Sequence, residues 1–305
     1  MESGINPYDQ SGVERIATRR RAPLWIYAFH MLQERIRPYR WRQSLAALIA
    51  KTRPNAKVPA KWDELVDLRR DGFVMLEGLI DVDWVDRVRT SLETRLCRDR
   101  WRRELGMFKQ DSTPHKTHVA DIDDVVDIPE VLALANHPLI LGVAGAYLGC
   151  QPTIDSIMAW WSLPGHLQAE NEQFFHRDND SIRFLKLFIY LSDVGSDCGP
   201  HVFVRGSHAH DGCYERRRYQ DAEVESTFGA NSIHTFLGVA GTVFMEDTYG
   251  LHKGALPTGQ RRLLLQIRYS TIPSIFMSRA ALKSIKTEEI NGFDKYSNRL
   301  ILSYK

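Results

Sequence analysis

No run of about 18 apolar residues occurs in this chain, so the sequence offers no membrane-spanning helix. Cysteine is scarce: Cys97, Cys150, Cys198 and Cys213 stand far apart with no CxxC pair, which excludes a short disulfide framework. A reducing, cytoplasmic setting is the simple expectation. The opening stretch MESGINPYDQ lacks a basic segment followed by an apolar one, so no secretory signal is expected. Internal repeats and low-complexity tracts are missing too. With 43% hydrophobic and 26% charged residues the composition is not that of a disordered chain, and 305 residues can bury a sizeable core.

Net charge is small, +2, but unevenly placed. Residues 1–60 hold eleven Lys/Arg against four acids, a net +7, which leaves −5 for the remainder. The expected organisation is therefore a basic N-terminal helical extension over 1–60 and a main domain over 61–305. Pro23 to Ile36 reads as a helix ended by Pro38, with Trp25, Phe29, Leu32 and Ile36 on one stripe. Arg35, Arg37, Arg40 and Arg42 follow, interleaved with Tyr39 and Trp41. This pattern suits a helix docked on its own domain, or a peripheral membrane contact through residues 19–42 on the inner face of the membrane. Nucleic-acid binding is not expected, since no recognised module accompanies the charge.

Residues 61–72 read as a short helix closed by Gly72, and FVMLEGL as a strand. Asp83 to Leu96 reads as a helix with Val85, Val88, Leu92 and Leu96 on one face, and PLILGVAGAYLG as a helix stopped at Gly149. The stretch 97–127 resists assignment. From about 153 to 272 short strand-like runs take over: TIDSIMAWWSL, FFHRDNDSIRF, FLKLFIYLSDV, HVFVRGSH, GTVFMED and RRLLLQIRYS. Helices thus gather in the N-terminal half, and an all-β sandwich or barrel is expected in the C-terminal half.

The chemistry is concentrated in FFHRDND. Alternation in a strand turns His176 and Asp178 to one side and Arg177 to the other. Two histidines and a carboxylate on one face of a metal leave open positions, the arrangement of non-haem Fe(II) oxygenases. The candidate third ligand is His252, in a Gly-flanked turn ahead of an arginine-led strand. His208 and His210 could also ligate a metal by spacing alone, but turn histidines ordinarily bond backbone or solvent. His115, His118, His166 and His234 are expected in loops or on the surface. Trp160 and Trp161 are neighbours, so one faces inward and the other outward.

These residues resemble a known family. FFHRDND, GPHVFVRGSHAHDG, GTVFMEDTYGLHKG and RRLLLQIRY, with RRDGFVMLEGLID and HPLILGVAGAYLG ahead of them, look like the phytanoyl-CoA dioxygenase family of Fe(II)/2-oxoglutarate oxygenases. The resemblance runs from about 62 to 272. It implies an α+β chain whose N-terminal helices flank a double-stranded β-helix, a jelly-roll or cupin-like barrel. It implies iron held by His176, Asp178 and His252, with 2-oxoglutarate and O₂ as co-reactants and ascorbate as an auxiliary reductant.

It further implies an arginine for the 2-oxoglutarate C5 carboxylate. Arg261 and Arg262 both qualify. Periodicity turns Arg261 inward with Leu263, Leu265 and Ile267, whereas the resemblance favours Arg262. Lys186 or Tyr190, on one face of FLKLFIYL, is expected to help hold the cosubstrate carboxylates. Because a carboxylate stands at Asp178, the resemblance favours hydroxylation over halogenation and leaves desaturation, ring closure and epimerisation open. The expected substrate is a small molecule, a glycan or a lipid-linked acceptor. The competing readings are a non-catalytic binding protein on the same barrel and a metal-dependent isomerase or hydrolase.

Overall fold

The computed structural model describes residues 24–36, 38–57, 62–275 and 292–302. Helices α1 (Leu24–Gln33), α2 (Tyr39–Ala50) and α3 (Trp62–Asp71) lead to β1 (Phe73–Met75) and α4 (Val82–Glu93). Then come β2 (Cys97–Asp99), β3 (Met107–Phe108), β4 (Val119–Ile122), α5 (Pro129–Ala135) and α6 (Pro138–Leu148). The C-terminal half runs β5 (Thr153–Ser162), β6 (Phe184–Tyr190), β7 (His201–Val204), α7 (Asp221–Phe228), β8 (Ile233–Phe236), β9 (Val243–Glu246), β10 (His252–Gly254) and β11 (Arg262–Ser270).

Local chemistry sets several boundaries. The Asp81 carboxylate accepts from the Trp84 N–H at 2.7 Å and caps α4, whose buried stripe is Val85, Val88 and Leu92. That helix stops short of Leu96, which is exposed rather than part of the expected face. α6 opens with Pro138 in its first turn and ends at Gly149, whose φ of 77° suits glycine. Gly72 closes α3 at φ +88°, and a Cβ there would lie 2.6 Å from the His208 ring.

The strands form an eight-stranded sheet, β1-β9-β6-β11-β5-β4-β2-β3, and a three-stranded sheet, β10-β7-β8. All their pairings are antiparallel. Together they make the double-stranded β-helix. The stretch 97–127 supplies β2, β3 and β4, which widen the large sheet at one side. α7 lies within the half read from sequence as strands only.

β6 and β11 are buried on both faces. Leu185, Leu187, Ile189, Leu263, Leu265 and Ile267 turn outward and pack with Val88, Leu132, Ile140 and Val143 of the helices. Each such side chain contributes roughly 1.5–3 kcal/mol of burial. Phe188, Tyr190 and Leu264 turn into the barrel beside Trp160, Phe203, Phe236 and Phe244. The reading from periodicity that put Arg261 inward is corrected here. The apolar face of β11 lies under the helices, and the face carrying Arg262, Gln266 and Arg268 lines the barrel. Trp160 is the inward tryptophan, and Trp161 belongs to the outer core.

The stripe expected to dock α1 is not the docked side. Ile26, His30 and Gln33 are buried, Trp25 and Leu32 are exposed, and Phe29 and Ile36 are half-buried. Arg42, 3% exposed, donates to the carbonyls of Gln33, Ile36, Ser181 and Ile182 and stacks on Tyr249. The described part of the N-terminal segment is thus fastened to the loop that follows Asp178. Arg19, Arg20, Arg21 and Arg37 lie outside the described residues. No single described helix is long and apolar enough to cross a membrane; the apolar pair α5–α6 is largely buried in the core.

Candidate metal centre

Phe175 and His176 do not belong to a full strand. They make isolated bridges to Tyr219 and His252, and Asp178 N–H then bonds the Thr248 carbonyl at 2.9 Å. This is enough to keep the backbone extended, so the alternation of His176 and Asp178 survives without a strand. His176 and His252 exchange both backbone bonds, each 3.0 Å, as a directly opposed antiparallel pair. Such a pair sends both side chains to one face at close range. The two imidazole centroids stand 4.3 Å apart.

Both rings are held in one tautomer. His176 Nδ1 lies 2.9 Å from the Phe174 carbonyl, and His252 Nδ1 lies 3.0 Å from the Gly250 carbonyl. A carbonyl can only accept, so Nδ1 carries a proton in each ring and Nε2 is the atom turned toward Asp178. The Nε2 atoms meet Asp178 at 3.6 Å (His176, Oδ1) and 3.3 Å (His252, Oδ2). Donor atoms of all three residues lie within 4.8 Å of one another. Burial, with His252 adding, pushes His176 down to about 4, which keeps its imidazole neutral. Burial would raise the Asp178 carboxyl, but Lys186 and His252 outweigh it and hold it well below the usual carboxylate range. Burial would lower the His252 imidazole, but Asp178 beside it outweighs this and raises it. Two imidazoles and a carboxylate with converging donor atoms are a fit for a divalent transition metal, which would take the place of the His252 proton.

Behind Asp178 runs a line of alternating charge. Lys186 Nζ stands 2.5 Å from Asp178 Oδ2 and 2.9 Å from Asp180 Oδ2. Arg268 bonds Asp180 at 2.9 Å and Asp155 at 2.6 Å. Asp155 ends the line by accepting from Ser270 Oγ and the Ser274 N–H. The register explains how Asp155 arrives there: Arg268 faces Ser156 and Tyr269 faces Ile154, so Asp155 is the extra residue of a β-bulge. Lys186 is therefore engaged with the carboxylates Asp178 and Asp180.

At the opposite end of β11, Arg262 is 2% exposed. Its Nη2 donates to Ser162 Oγ at 3.1 Å, while Nε and Nη1 are buried with no hydrogen-bond partner among the described residues. Gly254 leaves room for it, since a Cβ there would stand 3.2 Å from Nη2. Tyr190 lies alongside, its ring centroid 6.0 Å from the guanidinium. The Tyr190 hydroxyl donates to the Phe236 carbonyl and accepts from the His201 N–H, tying the small sheet to the large one. Arg261 points the other way and covers the Trp161 ring at 4.4 Å.

Arg177 bonds the carbonyls of Ser207, His210, Gly212, Cys213 and Tyr249, a structural tether for the loop beside the site. The other histidines have structural partners as well. His208 bonds the Arg69 carbonyl, His210 accepts from the Gly212 N–H, and His118 stacks on His166. His115 also edges against His166. His234 is not simply surface: it stacks on Phe73 at 4.7 Å.

The sequence reading missed one pair. His201 and Glu246, both buried, meet at 2.8 Å inside the barrel, and the His201 ring stacks 5.6 Å from that of His252. Burial pushes Glu246 up to about 8 and His201 well down, so both are neutral near pH 7. Alternation could have hinted at this pair, because His201 shares a face with Phe203 and Glu246 shares one with Phe244.

A family model described as phytanoyl-CoA dioxygenase (PhyH) matches residues 68–260. No curated protein matches the sequence significantly. Among solved structures, EctD from S. alaskensis with 2-oxoglutarate and 5-hydroxyectoine is 20% identical with a TM-score of 0.50, covering 71% of this chain and 82% of that one. The non-haem α-ketoglutarate-dependent epimerase SnoN from nogalamycin biosynthesis is 22% identical over 68% of this chain and 81% of that one, with a TM-score of 0.48. HygX from Streptomyces hygroscopicus, with nickel, 2-oxoglutarate and hygromycin B bound, is 17% identical over 72% and 93%, with a TM-score of 0.49. At these identities the likeness concerns the fold.

Proposed function

Because the chain belongs to the phytanoyl-CoA dioxygenase family of non-haem Fe(II)/2-oxoglutarate-dependent oxygenases, we propose that His176, Asp178 and His252 hold its iron and Arg262 its cosubstrate. The reaction we assign is hydroxylation of an unactivated C–H on a small-molecule, glycan or lipid-linked acceptor. Bound iron supplies the coupling of 2-oxoglutarate decarboxylation and O₂ reduction to oxidation of the acceptor. The chain supplies position, charge and dryness.

The Phe174 and Gly250 carbonyls orient the two imidazoles, and Lys186 keeps the Asp178 carboxylate ionised and fixed. Arg262 remains a cation despite its burial and offers two unused nitrogens to a carboxylate. Between these two ends, Trp160, Phe188, Phe236, Phe244 and Leu264 form an apolar wall that excludes water. Tyr190 is assigned to the cosubstrate end beside Arg262. Lys186 is assigned to Asp178 rather than to the cosubstrate.

The observation that carries this reading is the pairing of a convergent His176–Asp178–His252 donor set with a buried guanidinium having two orphan donors. A non-catalytic barrel would have no reason to keep such a cation inside, where desolvation costs it. The test is substrate-independent: purified protein with Fe(II) is incubated with 2-oxoglutarate under air and assayed for succinate. Succinate formation abolished by His252→Ala supports the reading. Absence of both turnover and calorimetric 2-oxoglutarate binding overturns it.

A further inference from the structure

α1 is inverted relative to an ordinary surface helix. Its inward side buries Ile26 with two polar residues, His30 and Gln33. Gln33 donates to the Asn179 carbonyl at 3.1 Å, and His30 lies 3.0 Å from Glu34. Its outward side is apolar: Leu24 is 87% exposed, Trp25 50%, Met31 57% and Leu32 52%, with Tyr27 and Ala28 also exposed. At helical spacing these positions fill one continuous sector roughly 160° wide. α2 adds exposed Trp41 and Leu48.

Charge narrows what can cover this face. Between residues 24 and 57 the one acid is Glu34, which is half-buried and engaged with His30 and Arg216. Arg35 and Arg40 are exposed, so the surface is cationic as well as apolar. A second copy of the chain would bring these arginines against one another. Tryptophan and tyrosine beside arginine, on a helix with no acid of its own, match an interface between hydrocarbon and anionic headgroups.

We propose that the outward face of α1, with Arg35 and Arg40, seats the chain on an anionic lipid surface. The inward side of the same helical pair holds the loop behind Asp178, through Gln33 on the Asn179 carbonyl and Arg42 on those of Ser181 and Ile182. Docking therefore places the loop that follows the proposed metal ligand Asp178 on the side of the helical pair away from the lipid. On the oxygenase reading above, the acceptor class this favours is an amphiphile held at that surface.

The test uses the full chain and sedimentation with phosphatidylcholine vesicles, with and without phosphatidylglycerol. The wild-type chain pellets with anionic vesicles in a salt-sensitive manner and stays free of neutral ones. Met31→Glu with Leu32→Glu, and separately Arg35→Glu with Arg40→Glu, weaken partitioning roughly tenfold or more. All four positions are exposed, so thermal unfolding and succinate formation stay at wild-type levels. Hydrogen exchange of residues 24–33 slows when anionic vesicles are added. Equal binding by the variants, no preference for anionic lipid, or exchange of 24–33 unchanged by anionic vesicles overturns the proposal. So does a dimer that the Met31/Leu32 variant converts to monomer. Vesicle binding that persists in a preparation without succinate formation supports the docking and counts against the oxygenase reading alone.

Discussion

Lys186 Nζ lies 2.5 Å from Asp178 Oδ2, so a proposed metal ligand has a buried cation against its carboxylate. The contact is anchored in turn by Asp180, Arg268 and Asp155, each buried or nearly so and each paired with opposite charge. Removing one member leaves an uncompensated charge in the interior. The role assigned to Lys186 is to position Asp178, with the cosubstrate left to the opposite end of the barrel.

Lys186→Met therefore weakens metal binding by about 10–100-fold, with a smaller effect on 2-oxoglutarate affinity once metal is saturating. Anaerobic calorimetry with Fe(II), followed by 2-oxoglutarate titration at saturating Fe(II), separates the two. Lys186→Arg restores part of the metal affinity. An unchanged Fe(II) affinity in Lys186→Met removes the positioning role.

The two adjacent arginines behave differently. Arg262→Leu lowers 2-oxoglutarate affinity about 100-fold or more, since a carboxylate loses its buried cation. Arg261→Leu leaves it unchanged, because that guanidinium lies outside the barrel over Trp161. Apparent KM for 2-oxoglutarate in the succinate assay checks both.

Arg177→Met costs about 2–4 kcal/mol of folding stability, because five backbone carbonyls lose their donor. Chemical denaturation measures it. A variant as stable as the wild type contradicts the tether.

Glu246 makes stability depend on pH. Its carboxyl is pushed up to about 8 in the folded chain, by burial against the pull of His252 and Lys186, from an ordinary value of 4.5. Below 4.5 both states are protonated and the group contributes nothing to the slope. Between 4.5 and 8 the unfolded chain releases a proton that the folded one keeps, so stability falls as pH rises, by up to about 1.4 kcal/mol per pH unit. Above 8 the penalty is constant. Metal-free Glu246→Gln lacks this slope and gains on the wild type across the window; parallel denaturation curves would refute it.

Much of the site was legible in the sequence because it depends on short-range rules. His176 and Asp178 sit two residues apart, and an extended backbone puts them on one side even where only isolated bridges form. The choice between Arg261 and Arg262 was not legible from periodicity. β11 is buried on both faces, and its apolar face serves the helices while its polar face serves the barrel interior. β6 repeats the arrangement, with Leu187 outside and Lys186 inside. α1 misled for the opposite reason: its apolar stripe faces outward, and its docked side is held by the Gln33 bond to the Asn179 carbonyl, with Arg42 of α2 beside it. The His201–Glu246 pair joins strands 45 residues apart; alternation hints that each side chain faces inward, but not that the two meet.

The central claim is that this barrel binds Fe(II) and 2-oxoglutarate together between the His176–Asp178–His252 donors and Arg262. The most direct measurement is anaerobic titration of 2-oxoglutarate into Fe(II)-loaded protein, followed by visible charge-transfer absorption and calorimetry. The account predicts saturable binding with one cosubstrate per iron, lost in Asp178→Ala and strongly weakened in Arg262→Leu but normal in Arg261→Leu. Binding that ignores all three substitutions, or no binding at all, would contradict it.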